Sequence, residues 1–318
     1  MKINLLARFA ESIFWLARYM ERVENLARLL EVTETFTYDA RGNQDWEAIL
    51  EINADMTRFR AGHKEVTLRS VAHFYILDGA NPTSIVASLD MARENARSLR
   101  HLISTEMWNQ INVFHGRVKA LDRRDVSPAK VSTVCRMIKE GCQAHTGITE
   151  GTLYQDEAWN FYWIGRAIER ADQTSRLVDI GYLRAIRTSR DLSSRAQDTH
   201  WGALLRSATG YHAFRRVHRI RTDAVEVIRF LTQDEALPRS LLTCVGGARA
   251  LTRGLETRHG MNTGRAALAT LDGIDKHLRG TDVAALLDAG PHAFIDDLQC
   301  RLAEYTQVLG RDCFAQDA

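Results

Sequence analysis

Two short runs carry the most specific charged pattern in this sequence: Trp15, Arg18, Glu21 and Arg22, then Trp163, Arg166, Glu169 and Arg170. Each reads Trp-x-x-Arg-x-x-Glu-Arg, and Trp163 lies 148 residues after Trp15. Arg28 and Leu29 are matched in the same register by Arg176 and Leu177. At 100° per residue, Trp15, Arg18, Glu21, Arg22 and Arg28 share one arc of a helix, opposite an apolar stripe through Leu16, Met20 and Ala27. Exposed charges tolerate substitution, so their identity in two places requires a specific geometry.

Three chemistries fit these residue types. In the first, the two helices meet near a pseudo-twofold axis, and each glutamate is gripped by arginines of the other copy in directional forks. In the second, Arg18, Arg22, Arg166 and Arg170 bind a phosphate or carboxylate, with the glutamates steering the guanidinium groups. In the third, Glu21, Glu24, Glu169 and Asp172 hold a metal. Neither run has the Glu-x-x-His pair of di-iron bundles, and the adjacent arginines oppose a cation, so no metal and no cofactor is expected.

A further cluster, Arg93, Glu94, Asn95, Arg97, Arg100, His101 and Glu106, falls on a long helix and its end. It is either a site or a solvated face with Glu–Arg pairs at helical spacing. Cys135, Cys142 and His145 share a face but lack a fourth ligand, which favours ordinary burial. No phosphate-binding glycine loop, dinucleotide fingerprint, nucleophile elbow or His-Glu-x-x-His occurs.

The elements that position these residues are helices throughout. Phe9, Ile13, Leu16, Met20, Val23, Ala27 and Leu30 recur at spacings of three and four. Only four prolines interrupt 318 residues, and no period-two alternation is sustained. Asn81 is expected to cap a helix that begins at Pro82 and continues through "SIVASLDMARENARSLRHLI".

A second match, of residues 73–99 with 229–255, aligns Phe74 with Phe230, Pro82 with Pro238 and Ser84 with Ser240. At Glu94 and Asn95 the later block has Ala250 and Leu251. Two matched blocks in one order imply internal duplication. The expected fold is an all-α helical bundle of two pseudo-symmetric modules, residues 1–150 and 151–318, packed as one compact unit. Residues 187–202 read as a longer connection in the second.

Composition narrows the function classes. A net charge of +2 gives no field for a polyanion, so no nucleic acid is expected. Thirty-six of the 42 basic residues are arginine, which reflects either codon bias or carboxylate and phosphate forks. No apolar window is long enough to span a membrane. The basic stretch Trp201–Arg221 has apolar residues at core spacing and reads as a packed helix. Five irregularly spaced cysteines suit reduced thiols, hence a cytoplasmic protein.

Three motifs in order, "WLARYMERVENLARLLEV", "NPTSIVASLDMARENAR" with "ISTEMW", and "WNFYWIGRAIERADQTSRL", resemble the bacterial alpha-E family across nearly the whole chain. The motif Glu-Arg pair falls on Glu21–Arg22 and again on Glu169–Arg170. The resemblance implies an all-α protein encoded beside a circularly permuted ATP-grasp protein, in systems that form or trim amide bonds. The expected role is an accessory subunit that docks an ATP-grasp-type amide ligase or presents a peptide or anionic metabolite. Its candidate binding residues are Trp15, Arg18, Glu21, Arg22, Glu94, Asn95, Arg97, Trp163, Arg166, Glu169 and Arg170. The alternatives are a stand-alone enzyme acting on an anionic peptide or acyl-phosphate at the Arg/Glu face, and a purely structural scaffold.

Overall fold

A computed structural model describes residues 7–36, 45–189, 194–218, 223–259 and 265–314. Among these the chain is all-helical, with no strand. Its elements are α1 (Ala7–Phe36), α2 (Glu47–Ile52), α3 (Met56–Gly62), α4 (Leu68–Ala72), which continues into a π-helical turn at His73–Leu77, and α5 (Ile85–Ser98). Next come α6 (Thr105–Lys119), α7 (Val131–Thr152), α8 (Glu157–Ser189), α9 (Ser194–Ser207) and α10 (Tyr211–Val217). The chain closes with α11 (Ala224–Gln233), α12 (Leu241–Thr257), α13 (Arg265–Gly280), α14 (Val283–Ala289) and α15 (His292–Cys313).

The long helices α1 and α8 form the centre and lie against each other. They run in the same direction, because their pairings climb both helices together, from Phe14 beside Gly165 to Arg18 and Arg22 on Glu169. Helices α5 and α7 pack on α1, while α12 and α15 pack on α8. The short α2 leans on α8, and α9 crosses to α1. Buried side chains from all these layers make one continuous apolar core, including Phe14, Ile49, Phe59, Phe161, Phe214 and Tyr305.

Gly165 sets how near the two central helices come. A Cβ there would lie 2.3 Å from the Phe14 carbonyl oxygen, so only glycine permits this approach. Helix α1 is covered by α5, α7, α8 and α9, and its charged arc faces α8. Glu21 and Glu24 are buried in α1 along with Leu16 and Leu29.

Helix starts and corners also differ from the pattern reading. Ser84, not Asn81, caps α5; its Oγ accepts from the Ala87 N–H at 3.2 Å. Asn81 instead shapes the preceding turn, accepting from the Thr83 N–H at 3.1 Å and donating to the Phe74 carbonyl at 3.0 Å. The run through Arg100 and His101 is not one helix. It stops at Ser98, and Ser104 caps the next, accepting from the Met107 N–H at 3.0 Å. Residues 187–202 are largely helical in α8 and α9, although residues 190–193 lie outside the described residues. Within Trp201–Arg221, α9 ends and α10 begins at a corner where Thr209 takes φ 57°; residues 219–222 are outside the described residues.

Several local geometries occur twice. Ala54 and Thr209 both take left-handed φ, 54° and 57°, at the ends of α2 and α9. Each is followed by an N–H that reaches back to a helix carbonyl: Asp55 to Leu50 at 2.9 Å, and Gly210 to Leu205 at 2.7 Å. His63 stacks on Phe59 with centroids 4.6 Å apart, and His218 stacks on Phe214 at 4.4 Å. Phe74 and Phe230 meet those phenylalanines edge-on, both at 5.3 Å. Ser240 caps α12 as Ser84 caps α5, accepting from the Thr243 N–H at 3.1 Å.

Candidate functional site

The eight residues of the two motifs meet where α1 and α8 face each other. Each glutamate is held by the arginines of the opposite helix. Arg18 Nε donates to Glu169 Oε2 at 2.8 Å, and Arg22 Nε and Nη2 donate to its two oxygens at 2.8 and 3.1 Å. In return, Arg166 Nε donates to Glu21 Oε2 at 3.0 Å and Arg170 Nε to Glu21 Oε1 at 2.8 Å. The first of the three chemistries, mutual gripping of the two motifs, is the observed one.

The tryptophans complete the motif by stacking. The Arg18 guanidinium lies 4.7 Å from the Trp15 ring centre, and that of Arg166 lies 5.0 Å from Trp163. A cation over an indole face is attracted by the ring quadrupole, and the flat ring limits the arginine rotamers that aim the fork. The spacing Trp-x-x-Arg therefore serves the Arg-x-x-Glu pairing.

Both carboxylates are almost wholly removed from water, with 3% of Glu21 and 2% of Glu169 exposed. Burial alone pushes their protonation upward, but the guanidinium groups prevail. Arg239, Arg170 and Arg166 hold Glu21 well below the usual carboxylate range. Arg22 and Arg18 do the same for Glu169, pulling it down to about 2. Both glutamates are ionised at neutral pH, which removes them as general acids and leaves them saturated with donors as bases.

Arg239 is the participant the motif did not announce. Its Nη2 lies 2.7 Å from Glu21 Oε1 and 3.6 Å from Glu24 Oε1, and only 4% of the residue is exposed. The sequence signal was its place in the matched block, one residue before the cap Ser240, opposite Thr83 in the earlier block. Because the two blocks differ there, the comparison of copies passed over it. Gln173 also joins, donating from Nε2 to Glu169 Oε1 at 3.1 Å. Glu24 pairs with Arg28, and Asp172 with Arg176 at 2.9 and 3.2 Å, each one turn along its own helix.

Glu94, Asn95 and Arg97 do not join this cluster. They lie on the outer part of α5, where Glu94 pairs with Arg97 at 2.7 Å and with Arg93 at 3.4 Å. Arg93 turns its Nε to Asn112 at 2.8 Å. The proposed metal ligands Glu21, Glu24, Glu169 and Asp172 are engaged by arginines, and among the described residues no group of three or more His, Cys, Asp or Glu is arranged to hold a metal. Cys135, Cys142 and His145 are buried in α7; burial, then Arg166, draws His145 down to about 3, so it is neutral. All five cysteines are unpaired. No helix among the described residues is long and apolar enough to cross a membrane.

Fold and site together define a class: an all-helical protein centred on two long helices locked by reciprocal Glu–Arg forks. The chain belongs to the Alpha-E family, whose model, described as a predicted alpha-helical domain with a conserved ER motif, matches residues 5–314. No curated protein and no solved structure matches the chain.

Proposed function

We propose that this protein is an accessory helical subunit that docks an ATP-grasp-type amide ligase and performs no bond chemistry of its own. One observation carries the reading: both motif carboxylates are ionised, buried and engaged by the guanidinium groups of the opposite helix. The Glu-Arg motif then acts as an internal clamp that fixes the shape of the bundle. A clamp of this kind supports a scaffold for a partner over a stand-alone enzyme acting on an anionic peptide or acyl-phosphate. The same engagement weighs against Arg18, Arg22, Arg166 and Arg170 as the grip on an anionic substrate. The nature of the partner rests on the family resemblance alone.

Co-expression with an ATP-grasp protein of that kind tests the docking. The expected result is co-elution in size exclusion and faster amide formation by the partner. Separate elution together with an unchanged ligation rate would rule the role out.

We also infer that residues 1–150 and 151–318 are two copies of one module, interlocked through α1 and α8. The twice-occurring corners at Ala54 and Thr209 and the Phe–His stacks support this. A chain cut within residues 153–156, between α7 and α8, should stay folded as a two-piece complex by circular dichroism. Dissociation into unfolded pieces would count against interlocked modules.

A further inference from the structure

The clamp is not electrically neutral. Arg239 and the pairs one turn along, Glu24–Arg28 and Asp172–Arg176, extend the four motif arginines to seven, against four carboxylates. Three positive charges are left over in a largely dry interface. Burial draws Arg239 below the ordinary guanidinium value although Glu21 and Glu24 hold it, and Arg170 and Arg28 add to that. Charge taken out of water without a counter-charge is costly.

The cluster opens to a cavity of about 200 Å³ on the Glu169 side, whose lining includes Arg22, Asn25, Asn53, Thr83, Asp172 and Arg176. Arg176 and Arg22 are the most accessible of the seven arginines, with 33% and 27% of their side chains exposed. Arg176 gives Nε and Nη2 to Asp172, so both N–H groups of Nη1 remain to be used. Asn25 is 4% exposed and faces this cavity, and its amide makes no hydrogen bond within the chain. Gln173, the matching residue on α8, is by contrast held by Glu169. A buried amide left unpaired points to a partner from outside the chain.

The carboxylates on the wall do not turn an anion away. Both oxygens of Asp172 accept from Arg176, and those of Glu169 accept from Arg18, Arg22 and Gln173. The surplus is positive, which opposes a cation instead. The motif arginines keep their forks closed on the glutamates and supply field. The direct donors are Arg176 Nη1 and the Asn25 amide, both outside the repeated motif. A cavity smaller than the roughly 300 Å³ of pockets for drug-sized ligands suits a small ion. A surplus of three charges favours a multiply charged oxyanion over a monocarboxylate.

We propose that this cavity binds a phosphate group, free or as a small monoester, which lies against Arg176 and Asn25 and balances the surplus charge of the clamp. The site belongs to the chain itself and goes beyond the docking role, so it is tested without a partner.

The experiment is titration calorimetry of the full chain with inorganic phosphate, methyl phosphate, acetate and ethylammonium at equal ionic strength and neutral pH. The expected result is saturable one-site binding of inorganic phosphate, at least tenfold tighter than acetate, with no heat from ethylammonium. Methyl phosphate binding equally well assigns the site to a monoester, and binding of inorganic phosphate alone assigns it to the free ion; either supports the proposal. Asn25→Asp keeps the side-chain shape, places a carboxylate in the cavity and should abolish phosphate binding while keeping the native circular dichroism spectrum. Should Asn25→Asp not fold, Arg176→Gln removes the direct cation at a partly exposed position and should weaken binding at least tenfold. Absence of phosphate binding, acetate binding as tightly, or phosphate binding unchanged in the folded Asn25→Asp chain or in Arg176→Gln would each overturn the proposal. A failed docking assay leaves these outcomes untouched, and the reverse also holds.

Discussion

Glu21→Gln keeps the side-chain shape and removes one charge from the clamp. The guanidinium groups of Arg166, Arg170 and Arg239 would then face an amide that neutralises none of them. Removing one partner of a buried ion pair costs roughly 3–5 kcal/mol. With three cations stranded, the expected cost lies in the upper half of that range. Unfolding entropy of about 2.1 cal/mol/K per residue, over 318 residues, gives about 0.7 kcal/mol per degree, hence a fall in Tm of about 6–7 °C. Glu169→Gln should cost less, because that carboxylate faces two arginines and the neutral Gln173. Adding Arg239→Met to Glu21→Gln should recover part of the loss by removing a stranded charge. Thermal unfolding followed by circular dichroism, with and without 0.5 M salt, measures all three. Buried charges are poorly screened, so salt should change the difference little. A fall below about 1 °C, or one that salt erases, would refute the buried clamp.

Acid should loosen the protein in a defined window. Both motif carboxylates have folded values below the unfolded value of about 4.3, so their stabilisation is complete above that value and is lost as pH falls toward about 2 for Glu169. The Glu169→Gln variant should therefore flatten the stability–pH curve between about pH 4.5 and 2 in denaturant titrations. Gly165→Ala should destabilise by more than about 2 kcal/mol, because the added methyl meets the Phe14 backbone carbonyl and α1 and α8 must separate; a melting curve like the parent's would show that the helices have room. Glu94→Ala removes only exposed pairs with Arg93 and Arg97 and should change stability by less than about 0.5 kcal/mol; a loss above about 2 kcal/mol would give that cluster a structural role it lacks here.

Sequence periodicity was a good guide to which residues belong together and a poor one to what covers them. The repeated Trp-x-x-Arg-x-x-Glu-Arg run located both halves of the clamp, because residues at three- and four-residue spacing necessarily share a face. It did not show that the face is buried, since a helical wheel separates apolar from charged sides and says nothing about a charged side packed on another charged side. Mutual pairing of Glu21 and Glu169 with the opposite arginines is one of three readings that the spacing allows, and only the packing of α8 on α1 decides among them. Arg239 stayed hidden because its partners lie far away in sequence and its counterpart Thr83 differs. The start of α5 was misplaced at Asn81 because Asn-Pro is a strong start signal, yet Asn81 closes its own turn and leaves the capping to Ser84. Glu94 and Asn95 drew attention only by being absent from the second block; Glu94 is exposed on α5 and Asn95 half-buried, both away from the clamp.

A double-mutant cycle on Arg22 and Glu169 tests the reciprocal clamp most directly. Arg22 gives Glu169 two hydrogen bonds, at 2.8 and 3.1 Å, inside the helix interface. Unfolding free energies of Arg22→Met, Glu169→Gln and the double variant should yield a coupling of about 2 kcal/mol, within the range of 0.5–3 kcal/mol seen for residues in one ion-pair network. Losses that add to within about 0.3 kcal/mol would mean that the two motifs do not hold each other.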